Sequence, residues 1–196
     1  MVEKVIESLR RLVSEIEDFR LGVRLAAAIA SVTKNRSDIN LALEKARGHG
    51  SKNLRAEAFA IITKTLAEAR HFTEARLVAS ETVGLDAYWT AEAHIWIARF
   101  SGDAGDIEAA KTCVFHINTP HIRNEARTDL ENLLHKRPHH TGVHNKHYSD
   151  FKALQAILSG IKGLEDSHQI VPKFNSAHLR LRAQEIIDRL FADAMK

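Results

Sequence analysis

AEAFAII (Ala56–Ile62) returns 35 residues later as AEAHIWI (Ala91–Ile97), and FTEARLVA (Phe72–Ala79) returns at the same shift as IEAAKTCV (Ile107–Val114). Each segment spaces its small and apolar residues at the helical period, so Ala56 to Ile117 spells two helices, a break, and the same two helices again. The short links between them favour antiparallel pairing. A helix pair of this kind cannot bury its apolar face alone and must stack on a neighbour. The expected fold class is therefore all-α, built from antiparallel helical hairpins.

Upstream the unit recurs more loosely. Val23–Leu25 aligns with Ala56–Ala58 at a shift of 33, and Ile39–Leu41 with Ala75–Leu77 at 36. Small residues crowd Gly22–Thr33, which predicts a closely packed helix. Ser37 and Asp38 are candidate caps for the helix after it, which Gly48-His49-Gly50 breaks near Arg47. At the start, Val5, Ile6, Leu9, Leu12, Val13 and Ile16 share one face of an amphipathic helix over residues 2–19. That helix either covers the exposed end of a stack or forms a homodimer contact, and capping is the favoured reading.

In the central pairs Leu54, Ala58, Phe59, Ile61, Ile62 and Leu66 are expected in the core from the first helix, and Ala75, Leu77, Val78 and Val83 from the second. Asp86 suits a cap for the helix through Phe100, SGDAGD (Ser101–Asp106) reads as a turn, and Asn118-Thr119-Pro120 closes the helix over Ile107–Ile117. His121–His135 supplies one more first helix, NEAR (Asn124–Arg127) echoing AEAH at a shift of 33, with Leu130, Leu133 and Leu134 on its apolar side. Its partner does not follow. KRPHHTGVHNKH (Lys136–His147) intervenes, and two closing helices are expected at Tyr148–Ile161 and about Asn175–Ala194. The organisation is thus a helical-repeat domain with its N-terminal helix over 1–135, a His-rich loop over 136–147, and a C-terminal helical pair packing on the repeats over 148–196.

Composition agrees with long helices, since glycine (9) and proline (3) are scarce. The single Cys113 excludes an intrachain disulfide and gives no reason to invoke an oxidising compartment. No apolar run is long enough to span a bilayer and the first twenty residues lack a signal-peptide pattern, so a cytoplasmic protein without a membrane partner is expected. Lys/Arg and Asp/Glu balance at 16 each through Pro120, so the formal charge of +3 arises beyond it, where 12 face 9. That bias is too small to imply nucleic acid by itself.

Paired helices recurring every 33 to 36 residues resemble the tetratricopeptide-like (TPR-like) superfamily. Phe59, Ile62 and Leu66 match slots of that family's first helix, and Ala75 its key small slot in the second. In the next copy His94, Ile97, Ala98 and Ala110 stand at the corresponding places, Ala98 in place of the family's glycine. The resemblance covers about Leu21 to His135, and Ala79 and Val114 depart from it where the family has phenylalanine. It implies a short right-handed solenoid with capping helices at both ends, whose concave surface recognises a protein or peptide.

Candidate binding residues follow from both readings. Tyr88, Trp89 and Trp96 concentrate aromatic area, with His94 and Arg99 beside Trp96. Trp96 reads as filling the gap between hairpins, whereas Trp89 is open between core and surface. In such a solenoid the first helices line the inner face. Arg55, Lys64, His94, Arg99, Arg123 and Arg127 would then form a basic strip there, diluted by Glu57, Glu92 and Glu125, and ordinary surface solvation is the simpler account of it. The partner-binding candidates are Arg55, Tyr88, Trp89, Glu92, His94, Arg99, Arg123 and Arg127.

His135, His139, His140, His144 and His147 gather imidazoles within thirteen positions. Zinc needs three or four converging ligands, but this spacing matches no compact zinc module, so His139, His140, His144 and His147 are weak metal candidates and a pH-responsive linker is preferred. No phosphate-cradling glycine loop or nucleophile elbow is present, and Cys113 beside Val114 reads as a structural thiol. No cofactor and no catalytic residue is expected. The function expected is a non-enzymatic protein- or peptide-binding scaffold. Its alternatives are a nucleic-acid-associated regulatory helical protein and an all-helical enzyme, distinguished by salt-sensitive mobility shifts or a deep polar pocket of ionisable groups.

Overall fold

The computed structural model describes residues 2–134, which form eight α-helices with no strand among them. These are α1 (Val2–Glu15), α2 (Phe19–Thr33), α3 (Arg36–Arg47), α4 (Lys52–Glu68), α5 (Phe72–Ser80), α6 (Ala87–Ser101), α7 (Ala104–Phe115) and α8 (Pro120–Leu134). His135, the His-rich loop, the two closing helices and the side chains of Val5, Leu133 and Leu134 lie outside the described residues.

Capping chemistry sets the boundaries. Asp18, Asn35, Ser51, Asp86 and Asp103 each accept a first-turn backbone N–H of the helix that follows. Four sequence expectations shift as a result. The opening helix does not reach Phe19, because Asp18 accepts the Leu21 N–H and starts α2 there. Asn35, rather than Ser37 or Asp38, caps α3 by accepting the Ser37 N–H. Only Gly102 and Asp103 make the turn between α6 and α7: Gly102 takes φ +66, where a side chain would be strained, and Asp103 begins the next helix. Pro120 opens α8 at a position where its missing N–H costs nothing.

Leu77 and Val83, expected in the core, are 66% and 67% exposed. The second helix of that pair ends at Ser80, and only Ala75, Val78 and Ala79 face inward from it. An apolar residue one position from the buried stripe lies about 100° away around the helix, and hydrophobicity alone does not bring it in.

Each of α2, α4 and α6 packs on the helix after it, and α2, α4, α6 and α8 also touch in succession as one row, with α1 against α2. Positions 35 residues apart share burial as well as sequence. Ala56 and Ala91, Ala58 and Ala93, Ile62 and Ile97, Ala75 and Ala110, and Ala79 and Val114 are all buried. Two apolar clusters result. The first runs from Ile6 in α1 to Ile97 in α6; the second joins Ala91, Ile95 and Ala98 of α6 to Ala110, Val114, Ala126 and Leu130. Helix α6 therefore belongs to both.

Arginine forks tie helices across the row. Arg10 of α1 donates to both carboxylate oxygens of Asp38 in α3 at 2.7 and 3.0 Å, and Arg76 of α5 does the same to Asp106 in α7 at 2.8 and 2.7 Å. Asp38 and Asp106 both stand third in their helices. Lys45 closes the end of α1 by donating to the carbonyls of Val13 and Ile16 at 3.1 Å each. Its stem passes over Gly22, where an added Cβ would sit 2.6 Å from Lys45 Cε.

Candidate functional site

Helix α6 carries apolar residues toward two clusters, which leaves a stripe of Tyr88, Glu92, Trp96 and Arg99 at spacings of four, four and three. Neighbouring helices add charge to it. Lys64 of α4 lies 3.9 Å from the centre of the Trp96 ring, and the Arg99 guanidinium carbon 5.3 Å from it. Phe100 stacks on the same indole at 5.9 Å. Around this stack the fields of Arg24 (α2), Glu68 (α4), and Glu125 and Asp129 (α8) are felt. Four successive members of the row thus contribute ionisable groups to one region.

Burial shifts these groups away from their charged forms. Desolvation, assisted by Asp129 and opposed by Lys64, pushes the Glu92 carboxyl up to about 7. Asp129 rises to about 6 through burial and then Glu125, with Arg99 opposing. Lys64 is lowered by burial, Glu68 and Glu92 acting against that and Arg24 and Arg99 with it. The Tyr88 phenol is raised by burial and by the fields of Glu92, Glu125, Asp129 and Asp86.

Glu92 is the most constrained member. It is 4% exposed, its carboxylate accepts from the Trp96 indole, and its Oε1 has no hydrogen-bond partner. Arg99 Nη1 is likewise buried without one. Unpaired buried polar atoms are rare and each costs free energy, so two on one stripe set this region apart.

The structure divides the eight candidates named from sequence. Tyr88, Glu92 and Arg99 come together. Arg55 and Arg123 clamp turns instead: each is the fourth residue of its helix and donates to the carbonyls six and five positions back, Arg55 to His49 and Gly50, Arg123 to Ile117 and Asn118. Thr90, also fourth in its helix, bonds the Thr82 and Asp86 carbonyls. Trp89 points toward α4, its indole N–H donating to Asn53 Oδ1 at 3.0 Å, and packs on the first apolar cluster. His94 turns toward Asp106 on α7, and burial lowers its pKa against that carboxylate. Arg127 is exposed and pairs with Glu131 at 3.3 Å.

Arg24, Glu68 and Asp129 escaped sequence reasoning. Asp129 was in reach, since it follows Glu125 by four residues on one helix face. His139, His140, His144 and His147 lie outside the described residues, and among the described residues no group of His, Cys, Asp or Glu is placed to hold a metal ion. Cys113 is half-buried, and burial raises its thiol. No helix among the described residues is long and apolar enough to cross a membrane. No family model, curated protein or solved structure matches the chain.

Proposed function

We propose that the protein is a non-enzymatic scaffold of TPR-like helix pairs, in which α2, α4, α6 and α8 line a concave face that binds a protein or peptide segment and α1 caps one end. The observation that carries this reading is the convergence of Tyr88, Glu92, Trp96 and Arg99 with Lys64 and Asp129 on one side of the row, with buried hydrogen-bonding capacity left unused at Glu92 and Arg99. A partner's polar groups would use that capacity, and the Trp96 and Tyr88 rings offer the rigid amphipathic area found at binding hot spots.

Raised carboxyls such as Glu92 and Asp129 also suit a general acid. Binding is favoured because the buried Glu92 Oε1 and Arg99 Nη1 have no hydrogen-bond partner among the described residues and lie beside the Trp96 ring. Phosphate-backbone recognition is disfavoured on charge: Arg10, Arg20, Arg47 and Arg76 are each paired with a carboxylate, and Arg55 and Arg123 with backbone carbonyls. Affinity capture with the full chain and with a Tyr88→Ala/Arg99→Ala variant of unchanged helicity tests the reading. A specific protein retained by the first and lost from the second at physiological salt is expected. Equal retention by both, or capture that disappears in moderate salt and follows added nucleic acid, would count against it.

A further inference from the structure

Glu57 and Glu92 occupy the same place in the two matching segments, 35 residues apart, and both are almost fully buried, at 3% and 4% exposure. Their cation partners differ. Arg20 of α2, the preceding helix of the row, donates to Glu57 Oε1 and Oε2 at 2.8 and 2.7 Å. At the position 33 residues after Arg20, the spacing that aligns α2 with α4, stands Asn53, which accepts the Trp89 indole instead. Glu92 therefore lacks its copy of the fork and keeps Oε1 unpaired. The chain itself shows what completes a carboxylate at this place, namely a guanidinium.

We propose that Glu92, with Asp129 and Glu125 of α8 and the Tyr88 ring beside it, is a receptor site for an arginine side chain carried by a partner peptide. This rests on the peptide-binding reading above and adds the chemistry of the contact. Glu92 and Asp129 are largely buried and Glu125 is exposed at the rim; Asp129 and Glu125 act on Glu92, Glu125 acts on Asp129, and all three act on Tyr88, which puts them in one neighbourhood. Lys64 and Arg99 stand at the Trp96 ring, and Asp129 and Glu125 bring negative charge to Glu92 from α8. Oε1 is buried in the free chain, so side chains around it must shift for the guanidinium to enter. The Trp96 indole N–H already holds the same carboxylate, so its fluorescence reports the event.

Panning a random twelve-residue peptide library against the full chain tests this, with enriched peptides then titrated by tryptophan fluorescence. Enriched sequences should carry an arginine. Its replacement by alanine and Glu92→Gln in the protein should each weaken binding on the order of thirtyfold, with little further loss when combined. Asp129→Asn provides a second variant should Glu92→Gln disturb folding, and it should weaken binding in the same direction. Peptides that lose affinity with Arg99→Ala but not with Glu92→Gln or Asp129→Asn would overturn the arginine site while leaving the inner-face reading standing. Enrichment of acidic peptides without arginine would overturn it in the same way. Failure to enrich any peptide would take both readings down.

Discussion

A buried carboxyl held up to about 7 makes stability depend on pH in a definite direction. Below about 4.5 Glu92 is protonated whether the chain is folded or not. Between there and about 7 the unfolded chain releases the proton while the folded one keeps it, so stability falls as pH rises, and the loss is complete above the folded value. A rise from 4.5 to about 7 corresponds to roughly 3 kcal/mol. Glu92→Gln should flatten this slope, so that urea midpoints of the two proteins, compared at pH 5 and pH 8, diverge with the variant the more stable at pH 8. Parallel curves would show that Glu92 ionises freely in the native state. Asp38 runs the other way. Burial pushes its carboxyl up, but the Arg10 fork and the Thr33 hydroxyl outweigh that and lower it, so its contribution is present at neutral pH and lost in acid.

Among the elements, α1 depends on two polar attachments besides its apolar face. The Arg10–Asp38 fork joins it to α3, and Lys45 crosses from α3 to cap its last carbonyls. Gly22→Ala should push the Lys45 stem aside and leave those carbonyls to water. Hydrogen exchange should then speed up over residues 10–16 while α6 to α8 are unchanged. Protection retained throughout α1 would show that Lys45 adapts without cost. The outer forks also reveal a kinship invisible in the sequence. Arg10 and Arg76 lie on helices with little similarity, yet each grips the third residue of the second helix in a later pair. In that contact α1 does for α3 what α5 does for α7.

For the whole molecule, α6 is the element whose loss would be felt in both apolar clusters. Ile97 faces the first and Ile95 the second, so the two clusters share one backbone and should unfold together. Ile97→Ala is expected to cost about 2–5 kcal/mol. It should lower the urea midpoint seen by tryptophan fluorescence and by circular dichroism alike. Two separated transitions would show that the clusters are independent. Phe115 at 75% exposure, by contrast, is not expected to matter to this cooperativity.

The helices of the described residues and most buried positions of the central units, Leu77 and Val83 excepted, were legible beforehand, because apolar spacing and capping residues act within a few positions along the chain. Phe59, Ile62, Ile97 and Ala110, named from periodicity, are all buried. What the row of helices decided was the partner of each charge. Arg55, Arg99 and Arg123 look alike as a basic strip in sequence, but two fold back on turn carbonyls and one joins Trp96, because the destination of a long side chain depends on which groups other helices bring within reach. Glu57 and Glu92 make the point most sharply. The repeat predicts that they are equivalent, and only packing shows that α2 supplies an arginine to the first while the arginine of α4, Arg55, is held by turn carbonyls and leaves Oε1 of the second unpaired.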